Sequence, residues 1–410
     1  NWGSIYKRQM VLINCACCAA PLPHPAKQCS RCKTLYCSPP CQKIHWEQGG
    51  HDKFCRKIRK GGGAEQYHAD TKFKEAVTVA AEACKEDAKG QKCYICGDDK
   101  EGLVRMCACR GTAGFAHVAC LAEQAKILMD EAEENNLCDR ALEKRWGRWH
   151  KCGQCEQNYH GIVACALGWA CWKTYLGRSE TDQVRVSAIR LLGNVLFDAG
   201  DHEDALLARQ AELSLMKRVG APGDHMLAVQ TRVGYSYNAL GRHEEGLPLQ
   251  RDVYSGRLKL HGENHQETIW SAGYLANSLY RTRRFDEGKA LLRKVIPVAR
   301  RVLGKGNIDV VRLRWSYGCF LYRAPDATLD DIREAVATME ETYGTVRRVF
   351  GAEHSYTREM DPKDIRFAQA ELRAREGKWR GISEALGYVM DPEDPAVRRR
   401  TSFKFNFKLL

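Results

Sequence analysis

The stretch GNVLFDAGDHEDAL at residues 193–206 returns in altered form as GYSYNALGRHEEGL at 234–247 and as ANSLYRTRRFDEGK at 276–289. One small residue in each unit keeps the same register, 41 or 42 positions from the next: Gly193, Gly234, Ala276 and Gly318. Every unit contains two amphipathic segments with a short turn between them, and the small residues let paired helices approach closely. A repeat of this length and fixed period predicts a solenoid of helix pairs.

The units resemble tetratricopeptide repeats of the kinesin-light-chain type, and HGENHQET (261–268) and FGAEHSYT (350–357) look like the inter-unit loops of that type. The resemblance implies an α-solenoid over residues 184–390, lengthened by an insertion around APDATLDD (324–331). Its concave surface would bind a partner protein or peptide. A basic tail, predicted to be disordered, follows at 391–410.

Cysteine is concentrated upstream of the repeats. Of the 20 cysteines in the 410-residue chain, 17 lie between Cys15 and Cys155. A disulfide framework is one interpretation, but such frameworks belong to short secreted chains. Here C-x2-C pairs occur with a histidine near the end of each group, which is typical of zinc sites. The pattern therefore predicts two zinc-binding segments before the solenoid, in a chain that is mainly α.

The first cluster spans residues 15–55 and offers eight ligands: Cys15, Cys18, Cys29, Cys32, Cys37, Cys41, His51 and Cys55. A C-x2-C turn directs two thiolates at one ion, and an x3-spaced pair does so from one turn of helix. Eight ligands make two closed tetrahedral sites, which are structural because no position is left for water. Cys17, His24 and His45 are left out of this register. So short a segment buries little apolar surface, and we expect zinc to stabilise it.

This segment, with its YCSPPCQKIHW stretch at 36–46, closely resembles a MYND zinc finger. The resemblance implies interleaved sites, with Cys15, Cys18, Cys37 and Cys41 on one zinc and Cys29, Cys32, His51 and Cys55 on the other. MYND fingers dock short proline-containing peptides, and the matching groove residues here would be Gln42 and Trp46. Packing within the small core is an equally good interpretation of Trp46.

A second cluster opens with CYIC at 93–96 and closes with CGQC at 152–155. Its ligands in chain order are Cys93, Cys96, Cys107, Cys109, His117, Cys120, Cys152 and Cys155. The argument for two closed zinc sites applies again. Cys138 lies in the gap before the last pair and has no partner at ligand spacing. The segment LAEQAKILMDEAEENN (121–136) in that gap is predicted to form a helix.

The CYIC, CACRGT, AHVACL and CGQCEQNY segments resemble a RING-CH (RING-variant) domain over residues 93–160. The resemblance implies a cross-brace, with Cys93, Cys96, His117 and Cys120 on one zinc and Cys107, Cys109, Cys152 and Cys155 on the other. Such domains are typically ubiquitin ligases without a catalytic side chain, and they dock a ubiquitin-conjugating enzyme. Ile95 would lie on the docking surface, unless it packs in the domain core. The long gap and Gln124, where the family often has tryptophan, depart from the pattern.

The remaining segments carry less information. Residues 56–92 are predicted to form a basic, flexible linker and a spacer helix, and 161–183 a connecting helix. The apolar run Ile162 to Trp172 is shorter than the roughly 20 residues of a membrane span, so we expect a buried helix and no membrane contact. The net charge of +13 predicts solvated helix faces and no nucleic-acid partner, since no aromatic–basic motif accompanies it. We expect a cytoplasmic or nuclear protein.

The leading functional hypothesis is a soluble ubiquitin ligase with four structural zinc ions per chain. The RING-CH domain would recruit the conjugating enzyme, while the repeats and the MYND finger would select targets. The alternative is a non-enzymatic scaffold in which all three modules bind proteins. A nuclear transcriptional regulator is the third interpretation, and it predicts nucleic-acid affinity that falls steeply with salt.

Overall fold

The computed structural model describes residues 15–18, 22, 26–360 and 362–376. Two antiparallel hairpins lie in the cysteine-rich part of these residues: β1 (Lys27–Gln28) with β2 (Leu35–Tyr36), and β3 (Leu103–Val104) with β4 (Ala116–His117). The rest is mainly helical, as the sequence predicts. The proposed tail at 391–410, the end of the proposed repeat segment at 377–390 and His24 lie outside the described residues.

The chain divides into two compact units, Asn1–Leu240 and Gly241–Leu410. The helices of the first unit are α1 (Pro39–Glu47), α2 (His51–Lys60), α3 (Ala64–Cys84), α4 (Val118–Glu134), α5 (Asp139–Trp146), α6 (Gly161–Tyr175), α7 (Gln183–Asp198), α8 (His202–Arg218) and α9 (Gly223–Ala239). Those of the second unit are α10 (His243–His261), α11 (Gln266–Arg281), α12 (Phe285–Leu303), α13 (Ile308–Arg323), α14 (Leu329–Phe350), α15 (Ser355–Glu359) and α16 (Pro362–Arg375).

Helix α6 forms the centre of the first unit and is buried continuously from Val163 to Trp172. A helix that is apolar on all faces is stable only when protein surrounds it. Leu167 packs in one apolar cluster with Cys93 of the cysteine-rich part, while Trp169 packs in another with Leu192 of α7. The apolar run is therefore a core helix shared by two modules. Within the described residues, no helix is long and apolar enough to cross a bilayer.

The segment predicted to be a flexible linker is ordered by packing. Helix α2 continues to Lys60 because Ile58, 5% exposed, lies in the same apolar cluster as Cys55. A glycine turn then leads into α3, whose Lys72 forms a part-buried ion pair with Asp204 of α8 at 3.0 Å. Helix α3 also packs along α6. It is therefore part of the core of the first unit as well as a spacer.

In the second unit each long helix packs against the next one in the chain. Two glycines of this unit lie where helices meet: a Cβ on Gly288 would come 2.1 Å from Phe320, and one on Gly318, a small residue of the repeat pattern, would come 2.4 Å from Met339. Such contacts leave no room for a side chain, so the small residues set the helix spacing. This confirms the packing role that the repeat pattern predicts.

The predicted insertion at 324–331 is a turn that ends in a capping box between Thr328 and Asp331 at the start of α14. A short α15 and a longer α16 follow, and α16 packs on α14. Asp364 of α16, 2% exposed, accepts hydrogen bonds from the Tyr322 hydroxyl at 2.7 Å and from the Arg323 guanidinium. Helix α16 is thus fixed to α13 by a buried ionic contact.

Candidate metal centres

The structure brings the sixteen predicted ligands together in four groups, and within each group the donor atoms all lie within 4.8 Å of one another. These are site 1 (Cys15, Cys18, Cys37, Cys41), site 2 (Cys29, Cys32, His51, Cys55), site 3 (Cys93, Cys96, His117, Cys120) and site 4 (Cys107, Cys109, Cys152, Cys155). The grouping in space matches the interleaved and cross-braced pairings implied by the two resemblances. Each group has the four donors of a closed tetrahedral site.

The sulfur–sulfur distances fit zinc and exclude disulfides. Cys18, Cys37 and Cys41 have Sγ atoms 3.6, 3.7 and 3.5 Å apart, and Cys109 and Cys152 are 3.8 Å apart. A tetrahedron with Zn–S bonds of about 2.3 Å has edges of about 3.8 Å. A disulfide would bring the sulfurs to about 2.05 Å. The donor sets therefore have the size of a zinc coordination sphere, and their ligand types suit zinc.

Both histidines present one ring nitrogen to their site. His117 Nδ1 lies 3.6 Å from Cys96 Sγ and 3.7 Å from Cys120 Sγ, while its Nε2 is 3.2 Å from the carbonyl oxygen of Lys100. An Nε2–H bond to that carbonyl leaves a lone pair on Nδ1, as a metal requires. In site 2, His51 Nε2 lies 3.3 Å from Cys32 Sγ. The sites thus use different nitrogens, which sequence spacing alone does not reveal.

Three of the C-x2-C pairs share one turn geometry. The N–H of the residue after the second cysteine donates to the carbonyl of the first cysteine, at distances of 2.8 to 3.0 Å. The donor residues are Lys33, Gly97 and Glu156, with φ of 62°, 74° and 57°. This left-handed turn points the intervening N–H groups at the first sulfur. Glycine adopts it most readily, so metal coordination would offset the strain at the other two positions.

One thiol in each site has a lowered pKa: Cys15, Cys29, Cys93 and Cys155. Burial by itself raises the pKa of Cys93, but the backbone N–H groups of Cys96, His117 and Ile95 bring it to about 6. Burial and the neighbouring thiol of Cys96 instead raise the pKa of Cys120 to about 12. Every site therefore contains one thiol that ionises more readily than an ordinary cysteine, and a bound cation would favour ionisation of the others.

The first finger, which contains sites 1 and 2 within residues 15–60, is built from a hairpin and two helices. The β1–β2 hairpin carries Cys29 and Cys32 in its turn. Ser38 caps α1 through the N–H of Cys41, which places Cys41 in the first helical turn, and two prolines begin that helix. His51 and Cys55 lie four residues apart on the buried face of α2. Cys17 is buried beside site 1 but belongs to no ligand group among the described residues.

The second finger contains sites 3 and 4 within residues 93–160. In it, His117 ends β4 and Cys120 lies in the first turn of α4. The long gap before Cys152 contains the predicted helix, observed as α4, and also α5, which sequence reasoning missed. Trp149, 1% exposed, anchors the end of this insertion in the apolar cluster that contains α6. Cys138 is exposed at the start of α5, away from both metal groups of this finger.

Some supporting residues were not predicted. The Thr34 hydroxyl lies 3.0 Å from Cys32 Sγ. Tyr159 is buried and Tyr94 half-buried beside Cys152, and burial raises the pKa of both hydroxyls, which therefore remain protonated. A Cβ on Gly114 would lie 2.6 Å from Cys109. Tyrosines distant in sequence from the cysteines have no spacing signal.

The three predicted partner-binding residues lie at the surface to different extents. Trp46 is 37% exposed on α1, with its ring centroid 5.7 Å from that of His51. Gln42 is half-buried one turn earlier on the same helix. Ile95 is half-buried between two site 3 ligands and contacts the apolar cluster of the second finger. Each side chain thus has an accessible part and a packed part.

Three segments match family models: residues 15–55 match the MYND finger, 93–140 the RING-variant domain and 225–301 the tetratricopeptide repeat. The chain carries these modules in that order. The RING-variant match ends at residue 140, before Cys152 and Cys155. Their place in the second finger is therefore supported by the geometry of site 4. No match is found among curated proteins.

Several solved structures match part of this chain. One contains nearly identical TPR-like repeats of a Podosopora anserina protein assigned as a kinesin light chain. It is 16% identical, with a TM-score of 0.39, and the match covers 57% of this chain and 98% of that one. BtubC (BKLC) from P. vanneervenii is 14% identical, with a TM-score of 0.38, and the match covers 67% of this chain and 93% of that one.

Proposed function

We propose that the chain is a ubiquitin ligase of the RING-variant type that holds four structural zinc ions. The observation that carries the proposal is the closed, cross-braced pair of sites 3 and 4, with Ile95 half-buried between two of the ligands. Closed zinc sites supply no catalytic water. The domain would act by docking a ubiquitin-conjugating enzyme, so its contribution is proximity and orientation of the charged ubiquitin.

In this proposal the zinc ions supply folding free energy and fixed shape. Residues of sites 1 and 2 hold the MYND finger together, and those of sites 3 and 4 hold the docking surface. The MYND finger, through Gln42 and Trp46, and the repeats would bind the proteins to be modified. Helix α6 supports this arrangement because it packs against both the second finger and the first repeat helix.

The test is ubiquitin-chain formation by the full chain with a panel of conjugating enzymes. We expect activity with at least one enzyme. Ile95→Ala should abolish most of it while zinc content is unchanged. Leu260→Ala is the matched control, because Leu260 is an exposed apolar residue of α10, 55% accessible. Absence of activity and of binding across the panel, with zinc-loaded protein, would refute the ligase assignment.

A second candidate is a non-enzymatic scaffold. The α4–α5 insertion between Cys120 and Cys152 and the presence of Gln124 favour it, since both depart from the RING-variant pattern. Direct binding separates the two candidates. A scaffold would leave conjugating enzymes unbound and still capture partner proteins through its repeats.

A further inference from the structure

The excess positive charge of the chain is concentrated at one end. The first 63 residues contain eleven Lys and Arg and only two acidic residues, Glu47 and Asp52, whereas the whole chain has a net charge of +13. Most of the excess therefore belongs to the segment that contains the MYND finger. So uneven a distribution points to a negatively charged partner for this segment.

Helix α2 arranges part of this charge in one row. His51, Cys55 and Ile58 face the core. Lys53, Arg56, Lys57 and Lys60 are exposed and occupy positions i, i+3, i+4 and i+7, which share one side of a helix. We call these four residues the α2 basic stripe. Among the described residues, no carboxylate lies at ion-pair distance from any of them, so no described side chain neutralises this charge.

Apolar side chains lie within the same finger. Ile44 and Trp46 of α1 are each 37% exposed, and Phe54 of α2 is 41% exposed. The guanidinium of Arg31 lies 6.0 Å from the Trp46 ring and the Lys57 ammonium lies 5.8 Å from the Phe54 ring. The surface is therefore mixed, with cations next to large apolar groups, which suits a ligand that has both carboxylates and apolar side chains.

The details favour an acidic polypeptide over a nucleic acid. Single-stranded nucleic acids bind by stacking bases on open aromatic faces, but Trp46 already has Arg31 and His51 beside its ring. The exposed aliphatic Ile44 offers a contact to a peptide side chain and little to a base.

We propose that the α2 basic stripe, together with Trp46, binds an acidic segment of a partner protein. The inference rests on the proposed target-binding role of the MYND finger and specifies the charge of its ligand. The carboxylates of the segment would lie along α2, and its apolar residues would contact Trp46 and Ile44. Such a contact strengthens as ionic strength falls, because exposed charges are screened by salt.

The experiment measures binding of the full zinc-loaded chain to fluorescent probes by anisotropy. The probes are a short peptide of alternating Glu and Pro, its Gln-Pro counterpart, an oligothymidylate of equal charge and vesicles containing phosphatidylserine. The test variant is Lys57→Glu with Lys60→Glu. The matched control reverses two exposed cations of α5, Arg140→Glu with Lys144→Glu. Zinc content and ubiquitin transfer are measured on every variant.

We expect the Glu-Pro peptide to bind, the Gln-Pro peptide to bind at least about tenfold more weakly, and the α2 variant to lose about tenfold in affinity. The α5 control should bind normally, and ubiquitin transfer should be unchanged in both variants. If charge reversal releases zinc, the neutral pair Lys57→Gln and Lys60→Gln replaces it.

Three results would overturn the proposal: no binding of the Glu-Pro peptide at low salt, equal binding by the α2 variant, or tighter binding of the oligothymidylate or the vesicles. The last would assign the stripe to another polyanion. Absence of ubiquitin transfer and of conjugating-enzyme binding in the wild type, with intact peptide binding, would refute the ligase proposal alone, so the two failures can be distinguished.

Discussion

Arg178 donates paired hydrogen bonds to Glu133, from Nη1 to Oε1 at 2.7 Å and from Nη2 to Oε2 at 2.8 Å. Glu133 belongs to α4 of the second finger, and Arg178 lies in the turn between α6 and α7, just before the proposed repeat segment. Glu133 also raises the pKa of Arg178, which keeps its charge. The planar, bidentate geometry fixes the angle between the finger and the first repeat helix.

Removing this contact should loosen the finger without unfolding it. Both side chains are about a third exposed, so we expect Arg178→Ala and Glu133→Gln each to cost about 1 kcal/mol. A double-mutant cycle by urea unfolding should give a coupling free energy of similar size that decreases in high salt. Additive effects of the two substitutions would show that the pair does not join the modules.

Zinc stoichiometry tests the ligand assignment one residue at a time. Native mass spectrometry should find four zinc ions per chain. Cys18→Ser should remove one ion and destabilise the MYND finger, because a closed site needs all four donors. Cys17→Ser is the control, since Cys17 adjoins site 1 without belonging to it, and it should retain four. Loss of zinc from the Cys17 variant would mean that the ligand register is wrong.

Glycine spacing should decide the stability of the repeats. Gly288→Ala would place a methyl group 2.1 Å from Phe320 and should cost about 2 kcal/mol or more through overpacking. Gly344, within α14, has open space where a Cβ would lie, with no neighbouring heavy atom within 4 Å. Gly344→Ala should therefore stabilise by up to about 1 kcal/mol, because alanine is the better helix former. Thermal unfolding should give a lower melting temperature than the wild type for Gly288→Ala and a higher one for Gly344→Ala.

His68 should make the first unit sensitive to acid. Burial and then the charge of Lys72 lower the pKa of His68 from 6.5 to about 4. Between these values the unfolded chain binds the proton and the folded chain does not. Stability is therefore complete above pH 6.5 and falls as the pH drops toward 4, by about 1.4 kcal/mol for each pKa unit of separation.

The comparison that isolates this effect is between the wild type and His68→Phe, because zinc release in acid affects both alike. The difference in their unfolding free energies should change between pH 7 and pH 5. His225→Phe, at an exposed histidine of α9, serves as the control. A pH-independent difference at His68 would mean that His68 carries the same charge in both states.

Asp364 should hold the last described helix in place. Its carboxylate is buried with the Arg323 guanidinium, and Asp364→Ala would leave that cation buried without its partner, at a cost of about 3 kcal/mol or more. Limited proteolysis should then cut near α16 in the variant, and we expect α16 to resist cleavage in the wild type. Asp326→Ala, at an exposed turn position, should leave the protease pattern unchanged. Equal cleavage of all three proteins would contradict the prediction that Asp364 holds α16 in place.

The metal groups and the helical repeat were predictable because local spacing encodes both. The sequence shows directly that cysteines occur in pairs two or three positions apart and that small residues recur 41 or 42 positions apart. Tertiary partners of single residues leave no such pattern. Thr34 beside Cys32, Tyr159 beside Cys152 and Arg178 on Glu133 were therefore missed.

The segment between the fingers shows why local composition alone can predict the wrong structure. The segment RKIRKGGG (56–63) is dominated by lysine, arginine and glycine, and this composition predicts a charged, flexible linker. One apolar residue, Ile58, extends α2 into the finger core, and α3 then packs on α6. The surrounding protein supplies the contacts that hold this segment, and its own composition does not reveal them.

Helix α6 also has a consequence for how this architecture is inherited. Its residues complete the interior of the second finger and of the first repeat at once, so a gene rearrangement that separated these modules would expose apolar surface on both products. Insertions and exchanges of whole repeats are more easily tolerated further along the chain, where each helix packs mainly on its neighbours. We therefore expect related proteins to contain the second finger and the first repeat together, even where later repeats are gained or lost.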